Sequence, residues 1–277
     1  MPPYRLMGIV NVTPDSFSDG GRFLVPDAAL AHARELAAEG AEILDVGGES
    51  TRPGAEPVSA AEELRRVLPV LEGLAEAAPG AQLSIDTTKA QVARAAIAAG
   101  AQLVNDVSAL RGDAGMAELI AASGVECCLM HMLGEPRTMQ RDPRYEDVVD
   151  EVRAFLEERL EFAVAAGIPE QRIMLDPGIG FGKTLAHNLE LLRRLSELAG
   201  LGRPLVVGTS RKGFLGVLGA RAHGHQQPLE PTRRLPGTIA TSVLAFERGA
   251  SVLRVHDVAP VAEALAVAAA TLSGDGR

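Results

Sequence analysis

Met7-Gly8-Ile9-Val10-Asn11-Val12-Thr13-Pro14-Asp15-Ser16-Phe17-Ser18-Asp19-Gly20-Gly21 begins as a short apolar run and breaks at once into a loop of amide, hydroxyl, carboxylate and glycine. The pattern predicts a strand that presents polar groups at its C-terminal edge. In parallel α/β folds, that edge is where ligands are held. Asp, Ser and Gly also favour ordinary turns, so this stretch alone leaves a plain strand-and-turn reading open. What decides between the two is that the arrangement recurs along the whole chain.

Short β-type runs alternate with alanine-rich helical runs from end to end. The expected strands are Leu6–Val10, Glu42–Val46, Gln82–Ile85, Gln102–Val104, Val125–Met130, Arg172–Leu175, Leu205–Val207 and Ser251–Val255. Between and after them the expected helices are Pro26–Glu39, Ser59–Ala77, Lys89–Ala99, Gly115–Ala122, Glu146–Ala166 and Ala186–Ala199. Helical material then flanks an Arg221–Pro231 excursion, and Val258–Leu272 closes the chain. Ser59 with Glu62 three residues on reads as a capping box. Eight β/α units without a linker predict one domain over residues 1–277, a parallel (β/α)8 TIM barrel. A doubly wound open sheet is the competing architecture.

The barrel reading is tested by the residues just beyond each strand. The ends carry Asn11, then Asp45-Val46-Gly47-Gly48-Glu49-Ser50-Thr51-Arg52-Pro53-Gly54, then Asp86, Asn105-Asp106 and His131. The last three carry Asp176 with Pro177–Lys183, Gly208 to Gly213, and Arg254-Val255-His256-Asp257. The opposite ends hold mostly Gly-Ala, Pro and turn residues. Polar groups converging on one mouth are costly unless a ligand, metal or water satisfies them. One face is therefore the active-site face.

Composition bounds the partners. A net charge of −9 and 3% aromatic content, with no Trp, argue against a nucleic-acid surface or a membrane binder. A local basic cluster can still hold an anion. Cys127 and Cys128 are neighbours in an apolar run, so in a strand they point to opposite faces and do not bridge each other. They read as small core residues in a reducing, cytoplasmic setting. Pro177–Thr184 imitates a P-loop, but Pro177 stands where the first glycine belongs, and the reading is rejected.

The polar ends sort by chemistry. Asp86, Asn105 and Asp176 suit recognition of a flat heterocycle, with carboxylates accepting N–H groups. Lys212, Arg254 and His256 suit an anion, and Asn11 could hold a metal-bound diphosphate. Only three of 27 basic residues are lysine, and Lys183 and Lys212 both fall in these loops. Plainer readings stand beside these. Asp86 could cap the helix after its strand, Asp257 could cap the final helix, and Glu49 could be an exposed loop acid. His32, His187, His223 and His225 read as surface residues.

The runs Asn11–Gly21, Asp45–Gly54, Ser84–Lys89, Asn105–Asp106, Leu129–Met132, Asp176–Lys183, Ser210–Lys212 and Arg254–Asp257 closely resemble dihydropteroate synthases of folate biosynthesis. They span all eight strand ends in order. The resemblance implies a homodimeric barrel that joins 4-aminobenzoate to (7,8-dihydropterin-6-yl)methyl diphosphate, with Mg²⁺, by an SN1-like substitution. It implies Asp86, Asn105, Asp176 and Lys212 in the pterin pocket with Met130 against the ring, and Asn11 at the Mg²⁺ and diphosphate. Arg254 and His256 would clamp the diphosphate. Loops Thr13–Arg22 and Gly47–Ala55 would close over the aminobenzoate, which Thr51, Arg52, Pro53 and Phe181 would line. Ser210 belongs to the same substrate-binding set. Many relatives carry Ser where this chain has Gly213, whose backbone N–H would have to serve instead. A silent pterin-binding paralogue and a pterin-barrel methyltransferase are the alternatives.

Overall fold

The computed structural model describes residues 4–13, 25–51 and 54–273. Its strands are β1 (Arg5–Asn11), β2 (Ile43–Gly47), β3 (Gln82–Asp86), β4 (Leu103–Asp106), β5 (Glu126–Met130), β6 (Ile173–Asp176), β7 (Val206–Val207) and β8 (Val252–Val255). They lie in the order β6-β5-β4-β3-β2-β1-β8-β7, every pair parallel. The two ends of this sheet meet where Leu175 bridges Leu205 and the Leu175 N–H donates to Pro204 O at 3.0 Å. The sheet is thus a barrel, and the open-sheet alternative falls. The β6–β7 seam is its thinnest join, because β7 contributes only two residues.

Helices α1 (Val25–Ala38), α2 (Ala60–Ala77), α3 (Ala90–Ala98), α4 (Met116–Ser123), α5 (Val148–Ala165), α6 (Leu185–Arg193), α7 (Leu195–Ala199), α8 (Gly213–Ala222), α9 (Leu235–Glu247) and α10 (Val258–Ser273) surround it. None of the described helices is long and apolar enough to cross a membrane.

Side-chain alternation divides each strand between two environments. Outward residues such as Leu6, Leu44, Leu83, Val104, Cys127, Leu175 and Val255 join the helices in the main core. Inward residues stack in layers. At the bottom, Arg5 donates to Gln82 at 2.5 Å, and Gln82 donates to Glu126 at 2.9 Å. Above this lies an apolar layer of Met7, Ile43, Leu103, Cys128, Met174, Val206 and Val252. The next inward positions are Asp45, Ser84, Asn105, Asp176 and Arg254, and there the interior becomes polar. The two cysteines are buried and unpaired on opposite faces of β5, as alternation requires.

Several local expectations need correction. Ser59 does accept the Glu62 N–H at 3.2 Å, but the Glu62 carboxylate pairs with Arg65 and Arg66, so the capping box is not reciprocal. A box forms instead at Thr184 and His187, which gives His187 a structural task. The single helix expected over Ala186–Ala199 breaks at Arg194, whose guanidinium reaches Asp147, the N-cap of α5, at 2.7 Å. The excursion after α8 folds back on it. Leu229 is buried, and Arg234 donates to Leu229 O and Arg211 O, both at 2.7 Å.

Candidate active site

The strand registers put the polar ends in rows. Asn11 aligns with Gly47, Gly47 with Asp86, and Asp86 with Asn105. Asp45 lies one inward position deeper, aligned with Ser84. A carboxylate at that depth must be fully satisfied, and it is. Asp45, 0% exposed, accepts from Ser84 Oγ at 2.6 Å, Asn105 Nδ2 at 2.9 Å and Arg254 Nε at 2.7 Å. Arg254 also donates from Nη2 to Asp86 at 2.8 Å. Burial works against the Arg254 charge, yet Asp45 and Asp86 more than offset this and raise its pKa. Asp86 is pushed up to about 7 by burial, against the opposing pull of Arg254.

Asp86 is therefore no helix cap. The first N–H of α3, at Ala90, goes to Asp113 at 2.9 Å. Asp106, its neighbour in the next strand, is occupied in organising its own turn through Ser108 and Leu110.

A second group sits at β5, β6 and the loop after β7. Asp176 is buried and accepts the Gly178 N–H at 2.6 Å. Burial raises its pKa, and Lys212 opposes the rise. Lys212 is pulled down to about 8 by burial, with Asp176 resisting. Its ammonium donates to Ile179 O and lies 4.8 Å over the Phe181 ring. Phe181 in turn packs on Val107, Met130, Met132 and Met139, an apolar wall beside the charged floor.

The turn after Asp176 passes close to the chain after β5. Gly178 has φ 65°, and a Cβ there would fall 1.8 Å from His131 O, so only glycine fits. Lys183 is 3% exposed, with its ammonium 2.9 Å from His131 Nδ1 and 3.0 Å from Phe181 O. Burial and the nearby Lys183 bring His131 down to about 2, so its ring stays neutral, and burial lowers the Lys183 pKa as well.

The last group lies between β7 and β8. Ser210 Oγ accepts the His256 N–H at 3.1 Å and stands 2.9 Å from His256 Nδ1. Arg211 holds φ 57°, a strained value for a side-chain residue. It is fixed there by a two-pronged ion pair with Asp257. That pairing occupies the Asp257 carboxylate at the residue just before α10. Gly213 opens α8, and a Cβ there would meet open space, so serine would fit at this position.

The structure thus gathers Asp86, Asn105, Met130, Asp176, Phe181, Ser210, Lys212, Arg254 and His256 around the mouth, with Asn11 in the same row as Asp86. Thr51 lies half-buried in the loop after β2. Arg52, Pro53 and residues 14–24, which carry most of the other expected closing loop, fall outside the described residues. His223 and His225 are exposed, as expected.

Two functional positions went unread in the sequence. Asp45 shows itself as a lone carboxylate within Ile43-Leu44-Asp45-Val46, on the inward face. Lys89 is the third of only three lysines. It pairs with Glu49 and Glu63, so Glu49 is not an exposed acid.

A cup floored by carboxylate, carboxamide and ammonium, with an apolar wall, suits a flat ring rich in nitrogen. The class is that of the pterin binding enzymes, whose family matches residues 7–256. Dihydropteroate synthase of Escherichia coli (strain K12) is 46% identical over 269 residues, covering 97% of this chain and 92% of that protein. Xanthomonas albilineans dihydropteroate synthase, solved with 4-aminobenzoic acid, superposes with a TM-score of 0.89 at 48% identity, over 99% of this chain and 94% of that one. The Xanthomonas albilineans enzyme in complex with 7,8-dihydropteroate gives 0.85 at 45% identity, with 99% and 94% covered. The chain belongs to the dihydropteroate synthase family, transferases of folate biosynthesis.

Asp45 touches no opening and acts by holding Arg254 and Asn105. Asp45→Ala leaves a partly buried guanidinium with one carboxylate, and such losses cost up to about 3–5 kcal/mol. Urea unfolding reads this directly. A loss below about 1 kcal/mol, the scale of an exposed ion pair, would show that the network does not depend on Asp45.

Proposed function

We propose that this chain joins 4-aminobenzoate to (7,8-dihydropterin-6-yl)methyl diphosphate, giving 7,8-dihydropteroate and diphosphate. The observation that carries the reading is the shared network in which Asp45 holds both Asn105 and Arg254, and Arg254 holds Asp86, beside Asp176 and Lys212.

In this reading Asp176 and Asn105 grip the amino-pyrimidinone edge of the pterin, and Met130 and Phe181 pack on its face. Lys212 donates to the ring. The C–O bond to diphosphate breaks with its electron pair leaving on oxygen, and the cation left behind is delocalised into the pterin. The Asp86 carboxylate stabilises that positive charge. Part of Arg254 is committed to Asp45 and Asp86, and its Nη1, without a hydrogen-bond partner among the described residues, serves the departing diphosphate, with His256 oriented by Ser210 beside it. The aminobenzoate nitrogen then forms the C–N bond and gives up a proton to the released diphosphate or to water. Gly213 offers its backbone N–H at the start of α8 for the benzoate carboxylate, and Thr51, Arg52 and Pro53 complete that site.

Among the described residues no three His, Cys, Asp or Glu side chains form a metal cage. Asn11 offers one carboxamide oxygen, which fits a Mg²⁺ whose other ligands come from diphosphate and water. When bound, the ion would neutralise charge on the leaving group. A homodimer and a cytoplasmic location accompany this reading. Sedimentation tests the first, and cell fractionation, motivated by the two free thiols, tests the second.

Diphosphate release should require the pterin diphosphate, 4-aminobenzoate and Mg²⁺ together. Labelled diphosphate should enter the pterin substrate slowly when aminobenzoate is omitted. Saturable pterin binding without turnover would return the silent-paralogue reading, and exchange strictly dependent on aminobenzoate would refute the dissociative step.

Asp176→Ala should abolish measurable pterin binding in calorimetry, since it removes the paired acceptor at the floor. Near-normal affinity would remove Asp176 from the pocket.

The reaction needs Asp86 ionised and Lys212 protonated. With Asp86 at about 7 and Lys212 at about 8, kcat/KM rises with pH through the first value and falls above the second. Lys212→Arg keeps its charge and should lose the alkaline limb. A limb that persists in that variant belongs to another group.

A further inference from the structure

The segment between β2 and α2 is tied at its feet by charge. Glu49 Oε1 accepts the Val58 N–H at 3.2 Å, and Glu49 Oε2 pairs with Lys89 Nζ. One carboxylate therefore joins both feet of residues 49–58 to the start of α3, three residues beyond Asp86. Lys89 also pairs with Glu63 Oε2 at 2.6 Å, and Glu63, in the first turn of α2, is fully buried. Next to this pair Arg66 donates to Gly48 O at 2.8 Å. Gly48 lies hard on α2, since a Cβ there would come within 2.8 Å of Val67 and 3.1 Å of Glu63.

The far part of the segment is held differently. The Gly54 N–H reaches Pro136 O, in the loop after β5, at 3.4 Å. The described stretches on either side of residues 52–53 thus touch two places on the mouth, the start of α3 just beyond Asp86 and the loop after β5. The ties at the two feet are charged, whereas the one at Gly54 is a single backbone hydrogen bond.

We propose that Glu49 is a positioning residue. With Lys89 and Glu63 it forms a latch that fixes the two feet of the segment, at Glu49 and Val58, and so places Thr51 for the second substrate. This rests on the reaction proposed above. Glu49 itself touches neither substrate and acts only through the segment it fastens.

The chemistry of the latch selects the test. Removing Lys89 strands the buried Glu63 carboxylate and endangers the fold. Glu49→Ala leaves the Lys89–Glu63 pair intact and removes only the charged tie at the feet of the segment. Glu49→Gln loses the charge, but its amide oxygen still accepts the Val58 N–H.

In steady-state assays Glu49→Ala should raise KM for 4-aminobenzoate about tenfold or more, with pterin affinity in calorimetry within about twofold, because small displacements of positioning groups are costly. Glu49→Gln should fall between it and the wild type. Hydrogen–deuterium exchange at amides 50–58 should quicken by about tenfold in Glu49→Ala while α2 and α3 stay protected. Unchanged exchange over 50–58 overturns the latch. So does an equal weakening of both substrates, or an unaltered aminobenzoate KM. If the wild-type chain turns nothing over, the reaction is wrong, and the exchange result alone still decides the latch.

Discussion

The guanidinium of Arg254, held between Asp45 and Asp86, is the interaction on which the rest of this site depends. Three strands must keep their register for it to form. β8 delivers the cation, β2 the deeper carboxylate and β3 the shallower one. Inside a barrel, neither sign of charge is stable alone, because burial penalises each by several kcal/mol. Together they let carboxylates stand at the floor of an apolar barrel. The arrangement also leaves a residue of imbalance. Asp86 shares its partner with Asp45, and burial pushes its pKa up to about 7, whereas Asp45 accepts from three donors.

The architecture was legible because strand ends and helix starts obey local rules. Apolar runs ending in Asn11, Asp86, Asn105 and Asp176 mark both the sheet and its working edge, and closure comes from counting eight units. What could not be read was any pairing across the barrel. Asp45 and Arg254 lie 209 positions apart, and nothing local in either strand announces the other. The same holds for Lys183 against His131, and for Lys89 between two glutamates. The missed capping box has a related cause. Glu62 had the right spacing to Ser59, but two arginines on the next turn compete for its carboxylate and win by forming charge-assisted bonds.

Lysine usage carries the same lesson in composition. The chain has only three lysines, and all three lie at the working mouth: Lys89 in the latch, Lys183 on His131 and Lys212 beside Asp176. A planar guanidinium needs a wide, flat set of acceptors, whereas a compact ammonium can sit in a small pocket among two or three oxygens. The seat at 89, between Glu49 and Glu63, is of the second kind, and the seat at 183 is equally small, with one carbonyl oxygen and one imidazole nitrogen. Where Arg254 meets two carboxylates at once, the wider guanidinium is used; where the space is small, the chain keeps lysine.

The barrel beneath the site is closed twice, by the Arg5–Gln82–Glu126 chain and by the apolar layer from Met7 to Val252. Among the described residues these two layers seal the barrel from below, so the floor at Asp176 is reached from the mouth side alone. Anything that settles on that floor therefore enters and leaves by one opening, and a change to the residues at the mouth is felt in both directions of travel.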